Sequence, residues 1–579
     1  MTADMATTTR HAETTRTLYG HLTDWAAQTP DRVLVTQLDP ARDDAANGDG
    51  GQPDLAAQLT AATAAQLHAR AGALAVWLRE RGVGEGDCIA VWLPAWIDSY
   101  AWQFAASAVG AHVIGVNTRY NVAEVGHVLT KARPAVLVAA HGFQRVDFLT
   151  TLDRVAAELP ADAPRPFVLV TTAPGATGDG PDLDAWDVGA GSADAATIGT
   201  PAPEAVAGLR TDGDGDLLTV AFTTSGSTGM PKLAAHAEAA TIHHMQSAAA
   251  QLGIGAGDLM VEPLPYSGVF GYVAGMVALF GGAGVLIQPV FDPADLVRVW
   301  AHLGGTHYVG GDDMLARIRD AREELGTDLS TWRWTGIGDF QGMSEEIAAW
   351  AKDRFDTVTV GVYGSSEVFA LTSFWTLDGG VEPRVGGGGR LVGDGYAYRI
   401  ADPVTDEELE AGQRGELQLR GSNVVSQYLG DQGEGAKAFS ADGWFRTGDL
   451  GEAVDERTYA YICRIGDVLR LKGFMVDPAE IEMHLAEHPE VVVAKVVGRP
   501  DSAGETEAVA FVVTTHGATV TGEDLRAHVR ADLARYKVPT EVRIVEDMPT
   551  TAGTNGRKIR AVTLREWAAQ PAAGTAASV

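Results

Sequence analysis

Residues 223–232 read TTSGSTGMPK, and residues of these types so close together are suited to gripping a polyphosphate. Gly226 and Gly229 can adopt positive φ and turn successive backbone N–H groups inward as a nest for an anion. Thr223, Thr224, Ser225, Ser227 and Thr228 add hydroxyl donors, and Lys232 adds a compact positive charge. The implied chemistry is consumption of a nucleoside triphosphate. The spacing departs from a Walker loop, GxxxxGK followed by Ser or Thr. Here the lysine falls three positions after the second glycine and Leu233 follows it. A Ser/Gly surface turn is the competing reading of the same residues.

Such a loop needs a strand to deliver it, and the apolar run 217–222 directly precedes it. Leu67, Ala71, Leu74 and Leu78 recur at helical spacing, Gly86-Asp87 turns the chain, and 88–93 (CIAVWL) is a buried-strand run. Further strands are expected over 112–116, 135–139, 167–171 and 357–362. The alternation predicts an α/β fold: a large N-terminal domain of layered, mostly parallel sheets with helices. From 467 onward the pattern becomes compact α+β, with helices over 478–484 and 525–533 and strands over 491–497 and 509–514. Segments 39–54 and 174–216, rich in Gly, Ala and Asp, read as solvated loops.

With 579 residues, 46% of them hydrophobic, the chain can bury more than one core. A net charge of −32 argues against a nucleic-acid partner and against anionic lipid, both of which need a basic surface. The two cysteines, Cys88 and Cys463, imply a reducing cytoplasm without a disulfide framework. Residues 1–16 lack an apolar core and read as a frayed tail, neither signal peptide nor anchor. Residues 265–291 hold no charge and are long enough to span a bilayer. Their two prolines, six glycines and two tyrosines fit better a loop, a buried helix over 273–280 and a buried strand over 284–288.

Residues 224–232 resemble the signature loop of the adenylate-forming superfamily, which includes acyl-CoA synthetases, peptide-synthetase adenylation domains and luciferases. Five further motifs follow in that family's order. Tyr363-Gly364-Ser365-Ser366-Glu367 resembles its YGxTE, 443–449 (GWFRTGD) its ribose-binding motif, and 464–473 its interdomain hinge. Residues 536–539 (YKVP) and 553–560 (GTNGRKIR) complete the series. The resemblance implies a large domain over 1–465 and a small mobile cap over 467–579, pivoting near Gly466, where many relatives carry Asp or Lys.

It also implies roles. Thr224 to Lys232 would hold the β- and γ-phosphates of ATP, Ser366 the α-phosphate, and Glu367 a Mg²⁺ ion. Asp449 would take the ribose hydroxyls, Arg464 would support that region, and Tyr363, after which Gly364 follows, would stack on adenine. Lys558 would approach the α-phosphate and the substrate carboxylate during adenylation. Relatives show TxxGK, whereas here Arg557 stands between Gly556 and Lys558 and is a candidate to share the role. Gly473, after Lys472, would line the tunnel for the pantetheine of coenzyme A. Residues 117–120 (NTRY) also resemble stand-alone acyl-CoA ligases, and an appended carrier domain after Val579 is not expected. The expected partners are a small carboxylic acid and coenzyme A.

The acid itself is less legible. Matching 264–271 (LPYSGVFG) to the family's LPLFHVFG puts Gly268 where relatives hold an aromatic gate, often His. Tyr266, Ser267, Val269, Phe270 and Tyr272, then 310–313, 336–340 (with Gly338) and Val368, would form the pocket wall. Asp312, Asp313 and Asp339 stand where the family shows neutral residues, and one could receive an amino or hydroxyl group of the substrate. The competing reading makes Asp312-Asp313 the N-cap of a helix over 314–325. Two other functions fit the missing gate and the shifted Lys558. One is an adenylating enzyme with another acceptor: a carrier protein, an amine, or nitrite activated to diazotise an aryl amine. The other is a nucleotide-binding regulator without turnover.

Overall fold

The computed structural model describes residues 14–39, 55–143, 146–160, 163, 165–173, 193–194, 198–224, 230–377, 384–471, 474–476, 478–501, 506–553 and 556–570. The alternating apolar strands assemble into two large sheets. In the first, of eight strands, Cys88–Trp92 lies between His112–Gly115 and Val136–His141, all parallel, and Phe167–Thr172 extends the set. Cys88–Trp92 and His112–Gly115 are buried at every position, the pattern of strands covered on both faces. Leu218–Thr223 joins beside His112–Gly115 in parallel, then the chain returns as Leu233–Ala237, antiparallel to it. The hydroxyl-rich loop therefore leaves the carboxyl end of a parallel strand.

The second sheet has thirteen strands. From Val33–Leu38 through Gly284–Ile287, Leu259–Glu262, His307–Gly311 and Trp334–Gly338 to Val358–Ser365 neighbours run parallel. Beyond Val358–Ser365 the sheet turns antiparallel, through Phe369–Phe374, Gly388–Leu391, Thr458–Arg464, Phe445–Ala453, Arg414–Arg420 and Ala397–Ala401. Strand–helix alternation does not register this half: between Phe369 and Arg464 the described residues hold one α-helix, Gln432–Lys437. A continuous core joins the two sheets, with Trp92, Trp102, Tyr100, Phe104 and Phe222 fully buried in it.

The smaller C-terminal domain has its own five-stranded sheet around Thr506–Thr514 and its own apolar core, which includes Ile481, Leu485, Val512, Leu525 and Val529. Helices Pro478–Ala486, Gly522–Asp532 and Ala561–Ala569 accompany it, and a separate hairpin pairs Thr550–Gly553 with Gly556–Ile559.

Two local expectations change, and a third is borne out. Thr14–Arg16, assigned to the frayed tail, pairs with Asp212–Asp214, and Arg16 donates to Asp212 (2.8 Å) and Asp24 (2.5 Å). Segment 174–216 was expected to be loop throughout; its described part holds that strand, the short helix Pro203–Ala207 and the strand Ala193–Asp194. The apolar stretch 265–291 divides into the helix Val269–Gly281 and the strand Gly284–Ile287. No helix among the described residues is long and apolar enough to cross a membrane. Cys88 and Cys463 are both buried and unpaired by disulfide.

Burial of histidines makes the fold acid-sensitive. Desolvation lowers His112 from the usual 6.5 to about 4, His236 to about 4 and His244 to about 3. The folded state keeps them neutral while the unfolded chain binds protons below 6.5. The stability they allow is therefore complete above that value and lost as pH falls toward 4. Each histidine contributes a loss of roughly 2 kcal/mol at pH 5. Thermal melting across pH 7.5 to 5 is expected to show the midpoint falling from below pH 6.5, ahead of carboxylate titration; a flat profile down to pH 5 would contradict the burial.

Candidate active site

Four parallel strands of the larger sheet end side by side, and the candidate residues follow their carboxyl ends, where open α/β sheets bind ligands. Leu259–Glu262 leads into 264–271, and His307–Gly311 into Asp312 and Asp313. Trp334–Gly338 leads into Asp339, and Val358–Ser365 carries Tyr363 and Gly364 and leads into Ser366 and Glu367. Gly311 and Gly338 face each other in register. Gly364 has to be glycine, since a Cβ there would lie 2.2 Å from the Phe369 carbonyl oxygen and 2.5 Å from Ala370 Cα.

The loop 223–232 is closed at its neck. Thr224 N–H donates to the Lys232 carbonyl (2.9 Å) and Lys232 N–H donates to Thr224 Oγ1 (3.2 Å). Ser225, Gly226, Ser227, Thr228 and Gly229 lie outside the described residues. Lys232 Nζ stands 5.4 Å above the Tyr428 ring centroid. At the strand end, Thr223 Oγ1 accepts from the Tyr120 hydroxyl (2.8 Å) and the Thr223 carbonyl accepts from Ser366 Oγ (3.1 Å). The phosphate-type loop and the Tyr363–Glu367 turn, about 140 residues apart in sequence, are thus joined directly, with |i−j| of 143 between Ser366 and Thr223. Tyr120 belonged to the quoted segment 117–120 but had no site role. The signal available was its position just past His112–Gly115, which pairs with the loop-bearing strand.

Beside this junction lies an Asp–Arg–Tyr cluster. Asp449 and Arg464 face each other across the antiparallel strands Phe445–Ala453 and Thr458–Arg464. Arg464 Nε lies 2.9 Å from Asp449 Oδ1, the Tyr363 hydroxyl donates to Oδ2 at 2.5 Å, and Arg464 Nη1 donates to the Thr447 carbonyl at 3.0 Å. The Asp449 side chain is 4% exposed and that of Arg464 52%. Burial pushes the Asp449 carboxyl above its ordinary value, and the guanidinium and phenol oppose this. Tyr363 packs edge-on against Tyr459 (centroids 5.5 Å apart) and tilted against Tyr461 (5.7 Å). The half-buried Glu367 carboxylate makes no hydrogen bond or ion pair to the described residues, so its two oxygens fit a hard cation such as Mg²⁺. Its backbone is pinned by Val425 N–H, 2.6 Å from the Glu367 carbonyl.

On the pocket side, Gly268 occupies the N-cap of Val269–Gly281, and Tyr266, Ser267, Phe270 and Val368 are buried. Tyr266 lies between the rings of Tyr100 (4.3 Å) and Tyr272 (5.2 Å). Asp312 neither caps its helix nor stands open to a substrate amine. Gly311 is the N-cap of Asp312–Leu325, and the fully buried Asp312 carboxylate accepts from the backbone N–H groups of Phe340, Gln341 and Met343 at 3.1, 2.8 and 3.1 Å. Burial raises this carboxyl, against the three amides. Its role is to tie the turn after Gly338 to the preceding helix. Asp339 Oδ1 closes the same turn, accepting from Gly342 N–H (3.1 Å) and Ser344 Oγ (2.9 Å).

In the smaller domain, Gly473 and Lys472 lie outside the described residues. The backbone of Lys558 lies in Gly556–Ile559, opposite Thr551. Gly466 sits in a 3₁₀ turn, Ile465–Asp467, between Thr458–Arg464 of the larger sheet and Leu469–Leu471 of the five-stranded one.

The neck of the loop 223–232 is joined to the turn carrying the Ser366 hydroxyl and the Glu367 carboxylate beside the carboxyl ends of parallel strands, and each of the two domains matches a known family. Residues 22–429 match the family described as AMP-binding enzyme, and residues 480–554 match the AMP-binding enzyme C-terminal domain. The chain belongs to this family of adenylate-forming enzymes, of the acyl-CoA ligase type. It is 30% identical over 501 residues, 84% of this chain and 90% of the relative, to 3-[(3aS,4S,7aS)-7a-methyl-1,5-dioxo-octahydro-1H-inden-4-yl]propanoyl:CoA ligase of Rhodococcus jostii (strain RHA1). Among solved structures it resembles ATP-bound MatB from Rhodopseudomonas palustris, with a TM-score of 0.74 at 23% identity, covering 95% of this chain and 98% of that one. It also resembles the amide bond synthetase McbA from Marinactinospora thermotolerans, with a TM-score of 0.75 at 25% identity, covering 95% and 99%.

Proposed function

We propose that the enzyme converts a carboxylic acid to its acyl-adenylate with ATP and then transfers the acyl group to coenzyme A, releasing pyrophosphate and AMP. The observation that carries this reading is the hydrogen bond from Ser366 to the Thr223 carbonyl, which puts the polyphosphate loop and the Ser366–Glu367 turn in one site. A carboxylate is a poor electrophile because its leaving group would be oxide. A carboxylate oxygen forms a bond to the α-phosphorus, the α–β phosphoanhydride bond breaks, and pyrophosphate departs. The thiol sulfur then bonds to the acyl carbon and AMP leaves with the C–O electron pair. Negative charge spreads over phosphate oxygens in the first step, so positioning and charge stabilisation are the protein's task.

In this reading residues 224–232 hold the β- and γ-phosphates, Ser366 contacts the α-phosphate, and Asp449, oriented by Arg464 and Tyr363, accepts the ribose hydroxyls. Glu367 would hold Mg²⁺, which supplies charge neutralisation between phosphates. The small domain, 467–579, would turn about Gly466 and bring first Lys558, then the segment around Gly473, to the large domain. Coenzyme A is the favoured acceptor because the Rhodococcus jostii relative is a CoA ligase. An amine acceptor is the second reading, favoured by the likeness to an amide bond synthetase. With Asp312 bonded to four backbone amides, those of Asp313, Phe340, Gln341 and Met343, recognition of a substrate amino group has to come from elsewhere, and the pocket reading rests on Tyr266, Ser267, Gly268, Phe270, Gly338 and Val368.

Labelled pyrophosphate is expected to exchange into ATP in the presence of Mg²⁺ and a matching acid from a panel of aliphatic, aryl and amino-aryl acids. Mass spectrometry with coenzyme A, amines or neither then identifies the acceptor. Absence of exchange with every acid would overturn the adenylation reading.

A further inference from the structure

Behind the Ser366–Glu367 turn lie two histidines with no part in that scheme. His236, on the strand Leu233–Ala237, and His244, on the helix Glu238–Leu252, are both fully buried. Their rings both stack on one neighbour: His236 lies 4.0 Å from the Phe369 ring centroid at 28°, and His244 4.7 Å from it at 18°. Each also reaches the backbone. His236 Nε2 is 2.8 Å from the Ser366 carbonyl oxygen and His244 Nε2 2.8 Å from that of Ala370. A carbonyl only accepts, so both rings carry their proton on Nε2. His244 Nδ1 is then left as the acceptor for the Tyr396 hydroxyl at 3.2 Å.

The segment so gripped is strained. Phe369 has φ 65° and Leu371 φ 56°, left-handed values that an aromatic and a γ-branched residue avoid. Such conformations persist where the surroundings over-determine them. Here the grip consists of two ring–carbonyl hydrogen bonds, two imidazole rings stacked on Phe369, and Thr372 Oγ1 bonded to the Val368 and Phe369 carbonyls. The gripped carbonyls belong to Ser366 and Ala370, so the grip brackets Glu367 and includes the residue whose hydroxyl meets Thr223.

We propose that His236 and His244 are positioning residues for adenylate formation, donating from Nε2 to hold the strained 366–371 turn so that Ser366 and Glu367 face the triphosphate loop. The proposal rests on the adenylation reading for what the turn contacts. It requires the donor atom as well as the ring, which separates it from simple packing. Glutamine can place an amide N–H near the position of Nε2; phenylalanine keeps the ring and removes the donor.

The test compares His236→Phe and His236→Gln by thermal melting, by pyrophosphate exchange, and by calorimetric affinity for a non-hydrolysable ATP analogue with and without Mg²⁺. Folded His236→Phe is expected to lose about 10- to 100-fold in exchange rate, the scale of a 1 Å misplacement, and most of the Mg²⁺-dependent gain in analogue affinity. His236→Gln is expected to regain most of both. The proposal is overturned if folded His236→Phe keeps the wild-type rate and Mg²⁺ gain, or if His236→Gln falls as far as His236→Phe. Should His236→Phe fail to fold, His244→Phe and His244→Gln carry the same comparison under the same criteria. If wild-type enzyme exchanges pyrophosphate with no acid, the functional reading fails by itself, and the Mg²⁺-dependent affinities still decide the role of the histidines.

Discussion

Lys558→Ala is expected to lower adenylate formation by about 10²- to 10³-fold, the cost of removing one charge-stabilising group from a phosphoryl-type transition state. A supplied acyl-adenylate should still become thioester at close to the wild-type rate. The asymmetry follows from the two-step scheme: negative charge develops on phosphate oxygens in the first step, whereas thioester formation only releases AMP. The location of the hairpin supports the assignment. Gly556–Ile559 approaches the helix Asp312–Leu325 of the large domain with Cα atoms within 8 Å, so the hairpin and the large domain are in contact. Arg557→Ala is expected to be the milder variant if Lys558 alone carries the role, and equally damaging if the two share it. Pyrophosphate exchange measures the first step and thioester formation from synthetic adenylate the second. Equal losses in both steps would remove Lys558 from its role.

What was readable in the chain follows the range of the interactions involved. Runs such as 88–93 and 167–171 announce buried parallel strands because a sheet covered on both faces needs uninterrupted apolar residues, and both strands form within a residue or two of the expected bounds. The antiparallel half of the larger sheet lacks that signal. Its strands carry polar residues at buried positions and follow one another with little helix between them, as with Glu416 and Gln418 in Arg414–Arg420 and Asp449 in Phe445–Ala453. Within the site, Asp449, Arg464 and Tyr363 were legible as separate motifs, but their union depends on strand register and on a tyrosine 86 residues away. Asp312 shows the converse. Local pattern made it a helix cap or a substrate contact, while its carboxylate bonds to amides 28 to 31 residues further on, in the turn after the neighbouring strand. His236 and His244 gave no signal, because a buried histidine and a solvated one look alike until their carbonyl partners are known.

Asp449→Ala is expected to weaken binding of AMP and ATP by about 10²- to 10³-fold, since two hydrogen bonds from ribose hydroxyls to a carboxylate are worth roughly 1.5–3 kcal/mol each. The surroundings of Asp449 make it a prepared acceptor. Arg464 on Oδ1 and Tyr363 on Oδ2 fix the plane of the carboxylate, and each oxygen keeps a further lone pair for a ligand. Removal also takes the carboxylate from Arg464, but that side chain keeps the Thr447 carbonyl and is half exposed, so water can replace the carboxylate and the loss of stability should be much smaller than the loss of affinity. Tyr363→Phe separates orientation from contact: it deletes the donor to Oδ2, keeps the ring among Tyr459 and Tyr461, and should cost about tenfold in nucleotide affinity. Calorimetric titration with AMP, alongside melting temperatures, distinguishes these effects. If folded Asp449→Ala binds AMP as tightly as wild type, the cluster serves only to join two strands, and the ribose site has to be sought elsewhere along the same carboxyl ends.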